Sequence, residues 1–301
     1  MVQGTLTSPK TSNTSYLSLL RVSHWSKNFL ILLPLLTAHQ FTDLHKIFDC
    51  LLGIISFSLI ASSGYIINDL FDQNSDRLHP HKKHRPIASH TISTYQALWF
   101  LAIIMTTGFI LSLLLNLAFT CLLLGYFILT FTYSKFIKKW FLFDILMLVS
   151  LFLLRIYAGG LITNIPLSHW LIFFAIGFFM GLACIKRITE LNRHPEITNH
   201  SSHRRYYRHQ HQTILYLLGS TSSLVALSTL YTYINSYDAK QLYQYPAILM
   251  VSLFLITCWL GTIWIKTTTK KIHDDPILFA LRDKASIVLC SLILISVVLA
   301  I

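Results

Sequence analysis

Few residues of this chain carry a charge, and acids are half as common as bases. Asp, Glu, Lys and Arg make up 12% of its 301 residues, and 54% of the residues are hydrophobic. Soluble domains carry about twice that share of charge. Together with a mean hydropathy of +0.58, this shortage excludes an ordinary soluble enzyme and predicts an integral membrane protein.

The chain also lacks the signals of a disulfide framework, a zinc site and a removable leader. Its five cysteines stand singly in apolar stretches without a CxxC pair, so we expect small buried side chains. The histidine-rich stretch 194–211 has neither cysteine nor an HExxH motif, which favours an exposed loop. No small-residue cleavage site follows Lys27, so no signal peptide is expected. The cysteines are Cys50, Cys121, Cys184, Cys258 and Cys290.

Nine apolar runs are candidates for membrane-spanning helices, although the first is short and irregular. They leave no room for a soluble domain, so residues 1–301 are predicted to form a single membrane domain. Residues 1–15 would be a flexible tail, and loops 68–94 and 186–212 would be cytoplasmic caps. The runs are 28–44, 47–67, 95–115, 117–133, 141–162, 168–185, 213–234, 245–265 and 285–301.

Lys and Arg lie almost entirely on one side of these runs. Counted by alternate loops, 21 face one side and only Lys46 and Lys240 face the other, with Arg155 inside a run. Because cytoplasmic loops are enriched in these residues, we predict a multi-pass protein of the inner (plasma) membrane. Its amino terminus would be cytoplasmic and its carboxyl terminus external. The net charge of +12 is thus assigned to loops beside the lipid bilayer, not to a nucleic-acid surface.

An acidic cluster follows the second run. On a continuing helix, Asn68, Asp72 and Asp76 share one face at i, i+4 and i+8, with Asp69 on a neighbouring strip. Their oxygens would then stack about 6 Å apart, from about 1.5 Å of rise per residue. Such ligands repel one another unless a cation lies between them, and hard oxygen ligands indicate Mg²⁺ rather than zinc. The alternative is a solvated loop whose charges only determine topology.

Bases follow these acids and recur in the next cytoplasmic stretch. Those after the acids suit phosphate oxygens. The stretch from Tyr133 to Trp140 adds Lys135, and it leaves a phosphate-binding loop and a topology signal equally open. The bases after the acids are Arg77, Lys82, Lys83 and Arg85.

The fifth run contains two charged residues, Asp144 near its start and Arg155 deep within it. Eleven residues are three helical turns, so both side chains share a face. An arginine at that depth costs a few kcal/mol and nearly always faces the bundle interior or a wet cavity. We therefore favour a functional role over a purely structural ion pair.

Charged residues also stand at the cytoplasmic ends of two other runs. Lys186, Arg187 and Glu190 end the sixth run, with Lys186 and Glu190 one helical turn apart. Lys27 and Asn28 begin the first run, either as functional groups or as ordinary interfacial anchors.

The stretch from Asn68 resembles the N-D-x-x-D-x-x-x-D signature of the UbiA superfamily of intramembrane prenyltransferases. More specifically, the chain is similar to the decaprenyl-phosphate phosphoribosyltransferase branch, through pieces spread over most of its length. They are Trp25, Lys27 and Asn28; Arg77, His79, Pro80 and Lys82; Arg85 to Ala88; Tyr133 and Ser134; Asp144; Leu154 and Arg155; Ala158 to Gly160; Lys186, Arg187 and Glu190; and Asp275, Pro276 and Asp283.

The resemblance implies an all-α, nine-transmembrane-helix bundle around a cavity that faces the cytoplasm and opens laterally to lipid. It implies transfer of the 5-phosphoribosyl group of phosphoribosyl diphosphate to a polyprenyl phosphate, with Mg²⁺ as cofactor. The implied metal ligands are Asn68, Asp69, Asp72 and Asp76, and the implied catalytic residues are Asp69, Asp72, Lys186 and Glu190. The implied substrate-binding residues are Lys27, Asn28, Arg77, Lys82, Arg85, Tyr133, Lys135, Asp144, Arg155 and Arg187.

Two departures from the family pattern affect acceptor contacts more than the metal site. His90 stands where glycine often follows RPIAS, and HRRYYRHQHQ stands where a tyrosine is usual near Gln210. A second enzyme function would transfer the prenyl group itself, but that branch usually carries another D-x-x-x-D cluster, and loop 186–212 has no aspartate. A transporter or lipid-binding protein is a third possibility. Against it, the acids lie at the ends of runs and not at the bilayer midplane.

Overall fold

A computed structural model describes residues 13–78, 82–137, 140–193, 211–272 and 275–301. Its long helices run up and down through one bundle, joined by short connections and 3₁₀ segments. The α-helices are α1 (Asn13–Leu20), α2 (Leu33–Thr37), α3 (Leu44–Phe71), α4 (Gln73–Leu78), α5 (Thr94–Leu115), α6 (Leu117–Lys135), α7 (Phe143–Thr163), α8 (His169–Arg193), α9 (His211–Asn235), α10 (Tyr237–Leu242), α11 (Leu249–Thr268), α12 (Pro276–Ala280) and α13 (Lys284–Ala300). The all-α prediction is confirmed for the described residues.

Within the described ranges, seven helices are long and apolar enough to cross a membrane. They are α3, α5, α6, α7, α8, α9 and α11, while the apolar α13 is shorter. The first predicted span, 28–44, is not one continuous helix. A 3₁₀ helix occupies Val22–Leu32 and the short α2 follows it, with Pro34 near the start of α2. The count of nine spans therefore stays a prediction.

Other boundaries also differ from the sequence prediction. The predicted tail 1–15 overlaps α1, which starts at Asn13, and the predicted cap loops are partly helical, since α3 reaches Phe71 and α8 reaches Arg193. The histidine-rich stretch lies mostly in 194–210, outside the described residues. Cys50 and Cys184 are buried as expected, but Cys258 is only partly buried and Cys121 and Cys290 are exposed.

The 3₁₀ helix Val22–Leu32 packs directly on α7 at Gly159. A Cβ at Gly159 would lie 2.0 Å from the carbonyl oxygen of Ile31, so only glycine permits this approach. Gly159 therefore serves close packing of the two helices. α7 continues past it and ends at Asn164, whose backbone is left-handed (φ 54°). This contact sets the depth of Lys27 and Asn28 against α7.

The two ends of the bundle differ in chemistry. The end that carries the carboxyl end of α3, with Asp69 and Asp76, is called the acidic end below, and the opposite end is the far end. A cavity of about 920 Å³ lies at the far end, lined by Pro34, Trp170, Tyr233 and Val297 among others. This geometry does not confirm the cavity predicted to face the cytoplasm.

Candidate active site

The acids at the end of α3 keep helical spacing although α3 itself ends at Phe71. The backbone N–H of Asp72 donates to the carbonyl of Asn68 (2.9 Å), and that of Asp76 donates to the carbonyl of Asp72 (2.8 Å). The predicted stack of Asn68, Asp72 and Asp76 is thus present in the backbone. Asn68 also donates from its amide to Ser134 Oγ on α6 (2.9 Å).

The side chains pair differently from the prediction, because Asp69 and Asp76 share a partner. Arg85 Nη1 lies 3.0 Å from Asp69 Oδ1 and 2.6 Å from Asp76 Oδ2. Seven residues are close to two helical turns, so these two acids lie on one face. Arg21, held at φ 49° before the 3₁₀ helix, adds a 2.6 Å contact to Asp69.

The burial and convergence of Asp69 and Asp76 show whether these acids suit a divalent cation. Asp69 and Asp76 are only 4% and 3% exposed, and both converge on one cationic nitrogen. Among the described residues, no three Asp, Glu, His or Cys side chains form a metal-ligand set. The donor chemistry fits Mg²⁺, and the position between the two carboxylates already suits a cation. For a metal ion to take that position, the Arg85 guanidinium must withdraw from the carboxylates.

A second cluster joins the 3₁₀ helix to α8 through Asp275. Asp275 Oδ2 lies 2.7 Å from Lys27 Nζ and 3.2 Å from Lys186 Nζ. Burial, and then the neighbouring Lys186, lower the pKa of Lys27 to about 8. Burial raises the pKa of Asp275, but the two ammonium groups outweigh it and hold that pKa below its ordinary value. One carboxylate thus holds two cations together, with a surplus of positive charge.

A buried network surrounds Arg187, which is 1% exposed. Its guanidinium pairs with Asp144 and donates to Tyr133 Oη (2.9 Å) and Glu190 Oε2 (2.6 Å). Tyr133 in turn donates to Asp144 Oδ1 (2.7 Å). The structure therefore brings these four predicted residues together. These contacts join α6, α7 and α8 at the acidic end.

Arg155 lies in the interior of the bundle, as predicted, but its partner is not Asp144. Its Nε donates to Asn28 Oδ1 (2.8 Å), and its Nη2 donates to Tyr126 Oη (2.9 Å). It also donates to the Leu151 carbonyl and lies over the rings of Phe57 and Tyr126. Arg155 and Asp144 share a helical face but do not pair, because each is bound by side chains of other helices.

Three other predicted residues lie on the surface of the protein. Arg77 and Lys82 are exposed, and Lys135 is exposed with its ammonium near the rings of Phe71, Phe131 and Phe136. Sequence reasoning also missed Arg21, His24 and the central place of Asp275. The spacing of Arg21, His24 and Lys27 at i, i+3 and i+6 was a usable signal, but it places all three in one row only in a 3₁₀ helix.

Comparison with known proteins agrees with this architecture. The UbiA prenyltransferase family model matches residues 29–298. The chain is 17% identical to a UbiA homologue from Archaeoglobus fulgidus solved with GPP and Mg²⁺. The match covers 94% of this chain and 99% of that one, with a TM-score of 0.67, so the two share a fold.

Relatives by sequence have different names. The chain is 34% identical to protein y4nM of Sinorhizobium fredii, over 95% of this chain and 55% of that protein. It is 26% identical to the nodulation protein NoeC of Azorhizobium caulinodans, over 91% of this chain and 89% of that protein. It is 29% identical to the decaprenyl-phosphate phosphoribosyltransferase of Mycolicibacterium smegmatis, over 63% of this chain and 61% of that protein. The chain thus spans about half the length of y4nM.

Proposed function

The chain belongs to the UbiA prenyltransferase family, and from that premise we propose that it transfers the 5-phosphoribosyl group of phosphoribosyl diphosphate to a polyprenyl phosphate. The products are polyprenyl-phosphoryl-5-phosphoribose and diphosphate. The similarity to the mycobacterial phosphoribosyltransferase supports this choice within the family.

The observation that carries the proposal is the pair of lysines on Asp275. Lys27 and Lys186 share one carboxylate at the end of the bundle that also holds the acids. The donor carries a diphosphate and a 5-phosphate, and the acceptor carries a phosphate of its own. Bringing them together requires cations that offset their mutual repulsion. An aromatic acceptor carries no phosphate and would need fewer cations.

This reaction depends more on positioning the two substrates than on proton transfer. An oxygen of the acceptor phosphate forms a bond to the anomeric carbon while the bond from that carbon to the diphosphate oxygen breaks. The bonding electrons leave with diphosphate. A phosphate monoester is already anionic at neutral pH, with a second pKa of about 6, so no strong general base is required. Lys27 and Lys186 would orient the acceptor phosphate, and Arg21 and Arg85 would neutralise the leaving diphosphate.

Asp69, Asp72 and Asp76, with Asn68, are the residues that would hold Mg²⁺. The bound ion would supply charge neutralisation on the diphosphate. The described geometry supports this through the convergence of Asp69 and Asp76 on one cationic position. Arg85, once displaced from the acids, would be free to contact the same diphosphate.

The test is an assay of purified full-length protein with labelled phosphoribosyl diphosphate and a polyprenyl phosphate. We expect lipid-linked label with Mg²⁺ and none with EDTA. Lys186→Ala should lower kcat/KM at least tenfold, since a charge-assisted phosphate contact contributes about 1.5–3 kcal/mol. Lys266→Ala is the matched control. Lys266 also pairs with a carboxylate, Asp283 (2.7 Å), but it contacts neither Asp275 nor the acids Asp69 and Asp76.

A prenyl transfer reaction is the competing function. Over 142 residues the chain is 31% identical to a 4-hydroxybenzoate octaprenyltransferase of Vesicomyosocius okutanii. If the phosphoribosyl proposal is right, a parallel reaction with prenyl diphosphate and 4-hydroxybenzoate should give no product. Prenylated benzoate in that reaction, with no lipid-linked ribose in the first, would replace the phosphoribosyl proposal with the prenyl one.

A further inference from the structure

The 3₁₀ helix Val22–Leu32 places three polar residues in one row. A 3₁₀ helix has about three residues per turn and rises about 2 Å per residue, so positions three apart lie above one another about 6 Å apart. Arg21, which immediately precedes the helix, His24 and Lys27 have this spacing. His24 is therefore the middle member of a row that begins and ends with a cation.

The two ends of the row belong to different clusters. Arg21 contacts Asp69 at 2.6 Å, on the side of the acids, and Lys27 contacts Asp275 at 2.7 Å, on the side of Lys186. The His24 ring lies against Tyr65 with centroids 5.5 Å apart, and Arg21 lies over the same ring at 4.8 Å. Tyr65 thus fixes both side chains on one surface between the clusters.

The surroundings of His24 keep its imidazole neutral. Burial, then Lys27 and Arg21, lower its pKa to about 4, with Lys186 acting in the same direction and Asp275 against it. At neutral pH the ring therefore carries no charge in a row of cations. Its Nδ1 is buried and finds no hydrogen-bond partner in the described part of the chain. No described residue therefore uses the hydrogen-bonding capacity of this nitrogen.

We infer that His24 is a specificity residue that hydrogen-bonds the 2-hydroxyl of the donor sugar. This rests on the proposed function. With the leaving diphosphate on the Arg21 side and the acceptor phosphate on the Lys27 side, the anomeric carbon lies between them, beside His24. The hydroxyl next to that carbon is a neutral group that can donate or accept, which suits a neutral imidazole. The phosphates are served by the cations on either side.

The test compares phosphoribosyl diphosphate with its 2-deoxy analogue as donors for the same polyprenyl phosphate. The wild-type protein should prefer the ribosyl donor by about 10- to 100-fold in kcat/KM, the range expected for one hydrogen bond to a buried group. His24→Phe keeps an aromatic ring on Tyr65 but cannot hydrogen-bond, so the ratio should fall toward one through loss on the ribosyl donor alone. His24→Asn should recover part of the preference.

His39→Phe is the matched control. His39 also has a buried nitrogen for which no described residue is a hydrogen-bond partner, and it also packs on a tyrosine, Tyr243 (4.5 Å), but at the far end of the bundle. Substitution of His39 should leave the donor ratio unchanged.

The inference is overturned if folded His24→Phe keeps the wild-type donor ratio, or if it loses activity equally on both donors. Either result would leave the proposed function intact. If neither His24 variant folds, equal stabilisation of wild-type Tm by the two donors overturns it instead. No lipid-linked product from either donor with wild-type protein would reject the proposed function, and this inference with it.

Discussion

The ion pairs around Asp275 contain more positive than negative charge. Asp275 contacts both Lys27 and Lys186, whereas Arg21 and Arg85 are balanced by Asp69 and Asp76. Buried like charges repel, so two lysines on one carboxylate are costly unless a further anion joins them. This surplus positive charge is the residue-scale feature that points to phosphorylated ligands.

Lys27 gives this site a pH dependence. Its lowered pKa of about 8 means that it is cationic below that pH and loses its charge above it. We expect kcat/KM for the acceptor to fall as pH rises through about 8, since a neutral amine no longer attracts phosphate. Lys27→Arg should move the fall to higher pH, because arginine keeps its charge. Lys266→Arg should leave the midpoint where it is. An identical midpoint in wild type and Lys27→Arg would contradict this assignment.

Among the elements, the 3₁₀ helix Val22–Leu32 is the part on which the site depends most. It supplies His24, Lys27 and Asn28, and Asn28 accepts from Arg155 on α7 while donating to Ser58 on α3 (2.8 Å). Trp25 donates to Ser62 on the same helix (3.1 Å). These contacts tie the element to both α3 and α7, so its position and the position of the site are set together.

Gly159→Ala tests that position. The added Cβ meets the Ile31 carbonyl at 2.0 Å, so the 3₁₀ helix must move off α7. We expect a lower Tm in detergent, from an overpacking cost of about 1–3 kcal/mol, together with weaker acceptor binding. Gly261→Ala is the control, since nothing lies within 4 Å of its Cβ. Alanine is favoured over glycine in a helix by about 1 kcal/mol, so this control should raise Tm. A Tm change of the same sign in both variants would contradict the packing argument.

At the scale of the whole molecule, the first and last segments both join the two ends of the bundle. The chain reaches from Arg21 on Asp69 at the acidic end to His39 on Tyr243 at the far end. With about 2 Å of rise per 3₁₀ residue and about 1.5 Å in α2, Val22–Thr37 is about 30 Å long and runs the length of the bundle. Likewise, Asp283 caps α13 beside Lys266, and the Ala300 carbonyl accepts from Tyr245 at the far end.

These spans lead to a topology prediction. If both short segments cross the membrane in addition to the seven long helices, the two chain termini lie on opposite sides. With 21 cations on one side against two, a reporter fused after Ile301 should be exported, and one inserted in 194–210 should stay in the cytoplasm. Reporters at Ile301 and in 194–210 that lie on the same side would show that the model of nine crossings is wrong.

The sequence by itself determined the membrane class, the helical character and the candidate residues, because these depend on composition and on local periodicity. The stack of Asn68, Asp72 and Asp76 followed from 3.6 residues per turn and is present in the backbone. Family membership likewise followed from a motif within one short stretch.

Only the tertiary structure decided which residues meet. Lys27 pairs with Asp275 across 248 positions of sequence, and Arg187 pairs with Asp144 across 43. Asp144 and Arg155 share a face of α7 but bind different side chains, which no periodicity within α7 could reveal. Periodicity predicts which side chains share a face of a helix. The partner of each side chain depends on how helices from distant parts of the chain pack, as they do at Gly159. It also depends on where a 3₁₀ helix replaces an α-helix, as at Val22–Leu32.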